Sequence, residues 1–112
     1  QKRAKENRKP WDTAKDVDES AVITPLRQMS EVPSVASGRI HLSQNGTVKQ
    51  DADLSEMVWS VPEIIADLST MYTLQQGDVI YMGTPAGVGA VSRGDVLAGG
   101  VEGIGDFEVK IA

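Results

Sequence analysis

Few residues of this 112-residue chain are of the types that do chemistry, and their spacing narrows the options. His41 is the one histidine, and it alternates with Ile40 and Leu42. It is therefore expected to point away from the core as an exposed structural residue. A general base would need a cleft and an orienting partner, and neither is visible around it. Sixteen carboxylates offer oxygen ligands to a hard cation, in the clusters Asp16/Asp18/Glu19, Asp51/Asp53/Glu56 and Asp106/Glu108. None follows the Asp-x-Asp-x-Asp-Gly pattern of a calcium loop, and pairs two residues apart usually mark one solvated face of a strand. No metal ligand is assigned within the chain. Lys15 stands apart from the other basic residues, between Ala14 and Asp16. A lysine at a pocket edge can stabilise a developing oxyanion, but its surroundings alone do not single it out.

Gly83-Thr84-Pro85-Ala86-Gly87-Val88-Gly89 is the most unusual segment. Backbone N–H groups in a glycine-rich turn can cradle an anion, and Thr84 adds a hydroxyl donor. No Gly-Lys-Ser/Thr follows, so it is not a P-loop, and no strand–turn–helix surrounds it as in a dinucleotide fingerprint. A tight structural corner and an anion-binding loop both remain open.

The elements that must position these residues are mostly strands. Arg39 to Gln50 reads as a hairpin, with Asn45-Gly46 supplying the positive φ angles of a two-residue turn and Val48 resuming the apolar face. Ser60 to Tyr72 reads as the one amphipathic helix. Ser60 and Glu63 form a capping box, Pro62 sits in the first turn, and Val61, Ile64, Ile65, Leu68 and Met71 make one apolar stripe. Ala4 to Lys9 is expected to be a helix end stopped by Pro10. Gly77-Asp78-Val79-Ile80 and Gly94-Asp95-Val96-Leu97 repeat a turn-then-strand signature 17 residues apart. Nine of the eleven glycines fall in the last 36 residues, which suggests a rolled sheet with glycine corners. The expected class is α+β, mostly β, with one helix on the sheet.

Composition narrows the partners. The net charge of −5 divides into +4 over residues 1–15 (six basic groups against Glu6 and Asp12) and −9 elsewhere. A basic run invites a nucleic-acid reading. Apart from Trp11, however, the aromatic residues that would stack bases are missing nearby, so the run is read as a solvated element end and no nucleic-acid partner is expected. No apolar run approaches the ~18 residues of a membrane span. The absence of cysteine fits a reducing compartment, and a cytoplasmic location is expected.

Several blocks, in order and through essentially the whole chain, carry a family resemblance. They are Pro10-Trp11-Asp12-Thr13-Ala14-Lys15, Asn45-Gly46 with Gln50, Met57 to Ile65, Leu74 to Tyr81, and Gly83 to Gly89. The chain resembles the fumarylacetoacetate hydrolase family, in particular its short bacterial fumarylpyruvate hydrolase and acylpyruvase-type members. The resemblance implies a mixed β-roll and a homodimeric, Mg²⁺- or Mn²⁺-dependent enzyme that cleaves a carbon–carbon bond in a small anionic keto acid, with aromatic-compound catabolism as its setting. The lysine of the family's Lys-x-Phe motif falls on Lys15, implying oxyanion stabilisation. The threonine of its Gly-Thr-Pro motif falls on Thr84 and the glutamine closing its Asp-x-x-x-Arg-Asp-x-Gln motif falls on Gln1, both implying substrate contact.

Asp16 and Val17 stand where the family usually has Gly or Ser and then Phe, and Met82 where it usually has Thr. The family's metal carboxylates, arginine and histidine–glutamate pair would all precede Gln1. Residues 1–112 are therefore expected to be the C-terminal portion of one catalytic domain, inactive alone. Alternatives are isomerisation or decarboxylation of hydroxymuconate-type diacids or oxaloacetate on the same scaffold, and a non-catalytic β-module that binds small anions.

Overall fold

Asn45 and Gly46 both adopt left-handed backbone angles, φ 51° and 79°. Such a pair closes a two-residue turn whose twist matches that of its strands. It joins β1 (Arg39–Gln44) to β2 (Thr47–Asp53). The computed structural model describes residues 2–10, 18 and 20–112. Within them β3 (Val96–Val101) and β4 (Gly105–Lys110) complete a sheet of order β2-β1-β3-β4, with every ladder antiparallel. The principal helix, α2 (Val61–Met71), has the expected capping box: the Ser60 hydroxyl accepts from the Glu63 N–H, and the Glu63 carboxylate accepts from the Ser60 N–H. The α+β, mostly β class with one main helix is the one expected.

Residues directly opposite in an antiparallel ladder share a face. One face therefore carries Ile40, Leu42, Gln50, Leu97, Gly99 and Phe107, and the other carries Arg39, His41, Asp51, Gly100, Asp106 and Glu108. A bulge between Leu42 and Ser43 shifts the register. Ser43 faces Val48 but Leu42 faces Gln50, so Lys49 is the extra residue. Val48 thus does not resume the apolar face. It lies opposite Ser43, 54% exposed, and Gln50 takes the place beside Leu42.

The centre of the sheet is drawn tight at Gly99 and Gly100, the only fully buried residues among those described. A Cβ on Gly99 would stand 2.6 Å from the His41 carbonyl oxygen, 3.1 Å from Leu42 Cδ1 and 3.2 Å from Phe107 Cε1. Side chains from both neighbouring strands close over the glycine, and no larger residue fits.

Three further expectations are corrected. The first helix, α1, spans Lys2–Glu6. Arg8 turns left-handed at φ 51°, with its N–H on the Lys5 carbonyl and the Lys9 N–H on Ala4, so the helix ends in a Schellman-type cap before Pro10 is reached. The helix α2 stands off the sheet: its Ile64 and Leu68 face Leu74, Ile80 and Met82 of the segment C-terminal to it. The repeated signature yields two like turns but one strand. Asp78 and Asp95 each accept the N–H three residues earlier, at 2.7 Å in both turns, and follow glycines at φ 101° and 91°. β3 then docks between β1 and β4, whereas Val79-Ile80 runs beside α2 and pairs with no strand among the described residues.

Asp95 ties the second turn to the hairpin. Its carboxylate accepts from Gln44 Nε2 (2.6 Å), the Ser92 N–H (2.7 Å) and Asn45 Nδ2 (2.8 Å), and Asn45 Oδ1 accepts from the Val96 N–H. These donors, Asn45 first, hold the carboxyl below its usual pKa. A carboxyl more acidic in the folded state adds stability above its unfolded value of about 3.9 and loses it as pH falls through the lower folded value. Asp95→Asn is expected to lower the melting temperature at neutral pH and to flatten its fall below about pH 4. Thermal melts across that range check it, and an unchanged slope would remove this network as a source of acid sensitivity.

No apolar side chain among the described residues is fully buried, and Leu26 and Val58 are 90% and 94% exposed. Residues 1–112 prepared alone are expected to bind a hydrophobic dye and to self-associate. A monodisperse, dye-silent preparation by light scattering and fluorescence would contradict this.

Candidate functional site

The Gly83–Gly89 loop has no regular structure of its own and takes its shape from β2. Gly87, at φ 103°, lies so close to the bulged residue that a Cβ there would overlap the Lys49 carbonyl and press on Gln50 Cγ. Gln50 then bonds the loop twice. Its Nε2 donates to Thr84 Oγ1 and to the Pro85 carbonyl, both at 2.8 Å. The bulge makes this possible, since it turns Gln50 toward the apolar face over which the loop runs.

Between loop and sheet lies a cleft of about 500 Å³. Its floor includes Ile40, Leu42 and Phe107, and Gln50, Thr84 and Pro85 form one wall. Thr24 and Arg27 reach it from the segment before β1. Asp106 is the one carboxylate among the described lining residues, and Arg27 makes no ion pair among them. A mostly apolar hollow with a few converging polar groups is the usual form of a small-molecule site.

Of the residues marked from sequence, Thr84 is in this cleft. Lys15 and Gln1 lie outside the described residues. His41 touches the rim through its place in β1 but alternates onto the opposite face. There the Arg39 guanidinium grips Asp51 through two bonds of 2.8 and 3.0 Å and holds its carboxyl below the usual range, with His41 adding a smaller electrostatic effect. The histidine is half-buried rather than exposed. Asp106 and Glu108 share that face with Asp51 and Asp53, in agreement with their alternating spacing.

Two polar residues of the cleft wall, Gln50 and Arg27, were not marked from sequence. Gln50 stood only within a motif; the break in alternation across Val48-Lys49-Gln50 is the signal that could have flagged it. Arg27 sits in a loop punctuated by Pro25 and Pro33, and its place at the cleft is set by tertiary structure alone.

The donor set speaks to the metal that the resemblance implies. Among the described residues no three His, Asp or Glu side chains converge as a coordination shell requires, so these residues do not fit the ion and no step is derived through it. No helix among them is long and apolar enough to cross a membrane.

Comparison with known proteins bears on the same cleft. The chain is 47% identical over 108 residues to the fumarylpyruvate hydrolase of Ralstonia sp, covering 96% of this chain and 56% of that protein. It is 32% identical over 102 residues to the mitochondrial oxaloacetate tautomerase of Homo sapiens, covering 91% of this chain and 46% of that one. The crystal structure of fumarylpyruvate hydrolase from Pseudomonas aeruginosa in complex with Mn²⁺ and pyruvate superposes with a TM-score of 0.92 at 38% identity, over 100% of this chain and 48% of that one. The chain thus spans about half the length of the curated relatives it matches. The family described as fumarylacetoacetate (FAA) hydrolase, C-terminal, matches residues 1–112. The chain belongs to the fumarylacetoacetate hydrolase family.

Proposed function

We propose that residues 1–112 are the C-terminal portion of a catalytic domain that hydrolyses the carbon–carbon bond of an acylpyruvate-type, fumarylpyruvate-like keto acid. The observation that carries this reading is the Thr84 hydroxyl, held on its loop by Gln50 at the wall of a cleft that also takes in Arg27. A hydroxyl donor and a cation without an ion-pair partner among the described residues suit a small anionic substrate. The relatives named for fumarylpyruvate hydrolysis, one of them crystallised with pyruvate, support the acylpyruvate class.

In this reaction water adds to the acyl carbonyl and its oxygen leaves in the released acid. The electron pair of the broken bond passes to the pyruvate carbon, which then takes a proton. Thr84 binds the anionic end of the substrate, and Gln1 is a second substrate contact. Lys15 stabilises the oxyanion that forms when water adds. A divalent ion, Mg²⁺ or Mn²⁺, would be held by ligands other than the described residues and would supply Lewis-acid chemistry. The whole protein works as a homodimer in the cytoplasm.

A second reading is isomerisation or decarboxylation on the same scaffold, and the likeness to an oxaloacetate tautomerase favours isomerisation. Products separate the readings: hydrolysis yields pyruvate and a second acid, decarboxylation yields CO₂, and isomerisation conserves mass.

The test uses the complete protein with Mg²⁺ or Mn²⁺ and follows loss of fumarylpyruvate or acetylpyruvate absorbance. Turnover to pyruvate is expected. Lys15→Ala should lower kcat about 100-fold or more, the cost of removing an oxyanion donor. No turnover, or an unchanged rate in Lys15→Ala, would overturn the assignment. Chelation should abolish the activity and Mn²⁺ restore it; turnover that survives chelation contradicts the metal requirement.

A further inference from the structure

The bonds made by Gln50 fix where the protons of the cleft wall lie. The Pro85 carbonyl can only accept, so the amide atom facing it must be the nitrogen. That NH₂ group has two protons. One goes to Pro85 and the other to Thr84 Oγ1, each at 2.8 Å. The threonine oxygen is therefore an acceptor on its strand side. Its own proton remains, and no acceptor among the described residues is seen to take it. A hydroxyl that already accepts a bond is also a better donor, since chained hydrogen bonds polarise one another.

We propose that Gln50 is a positioning residue: its amide holds the Gly83–Gly89 loop against bulged β2 and turns the Thr84 hydroxyl so that its proton is delivered to an anionic oxygen in the cleft. This rests on the hydrolase reading for the identity of the anion, the carboxylate of a 2-keto acid, but the hold on the loop does not. A primary amide meets both demands without bringing a charge to the cleft wall. A glutamate would repel the Pro85 carbonyl and draw the threonine proton back toward β2, leaving lone pairs facing the substrate. A leucine would fill the space and release the loop.

The complete protein with Mn²⁺ tests this in two ways. With an acylpyruvate, Gln50→Glu should raise KM about tenfold or more while kcat stays within about twofold, because a contact kept equally in ground and transition states is lost. Thr84→Val should do the same, and Gln50→Glu/Thr84→Val should be no worse than Thr84→Val, since Gln50 acts through that hydroxyl. Additive losses, or an unchanged KM in Gln50→Glu, overturn the proposal. The second arm needs no substrate. Amide hydrogen exchange across residues 83–89 should quicken in Gln50→Leu relative to wild type while the strands stay protected. Unchanged exchange overturns the proposal whatever the substrate proves to be. If the wild type turns over no acylpyruvate, the hydrolase reading falls while the exchange result still decides the role of Gln50.

Discussion

One carboxamide, that of Gln50, joins the two parts of the molecule on which the cleft depends. The strand that carries it is part of a regular sheet, whereas the loop it grips has no ladder of its own. Without this bond the Pro85 carbonyl would have to turn to water, and the wall of the cleft would lose its tie to β2. Two local departures from regularity bring the partners together. The bulge at Lys49 advances Gln50 by one position onto the apolar face, and the bare backbone of Gly87 lets the loop settle on the same spot. Each would be a defect in isolation. Together they convert an edge strand into a mount.

The sheet behind this mount is held more by polar bonds and close backbone approach than by a sealed apolar core. Gly99 and Gly100 take the central position because Leu42 and Phe107 on one face, and Asp106 on the other, occupy the space a side chain would need. The apolar face is half-buried, and large apolar residues of the 22–29 segment and of the stretch around α2 remain open. Such a surface is what a domain presents where further polypeptide is meant to cover it.

Local chemistry was legible in the sequence wherever it decided the outcome alone. Asn45-Gly46 could only be a tight turn, and Ser60-x-x-Glu63 with Pro62 could only open a helix; both stand where their residues demand. The Gly-Asp turns were legible for the same reason, since each aspartate closes its own loop within three residues. Whether a strand forms after such a turn is not decided locally. Val79-Ile80 and Val96-Leu97 are nearly the same residues, yet only the second finds neighbours to pair with, a fact held by β1 and β4 and not by the dipeptide. The bulge escaped for a like reason, because an extra residue exists only relative to a partner strand. Thr84 stood out through its motif and lines the cleft, but the amide that bonds it belongs to a strand 34 residues earlier.

The tight turn also has a bearing on how the sheet finds its alignment. Asn45 offers its backbone N–H, its side-chain carbonyl and its side-chain amide to the two consecutive residues Asp95 and Val96. A hairpin that closes early would present these groups as a fixed socket, into which the start of β3 fits in one alignment. Sliding β3 by a single residue would forfeit all three bonds. It would also move Gly99 from beneath Leu42 and bring Ala98 or Gly100 into its place, exchanging the two faces of the strand. The turn thus serves as a gauge for the third strand, favouring the one alignment that also seats Gly99 beneath Leu42.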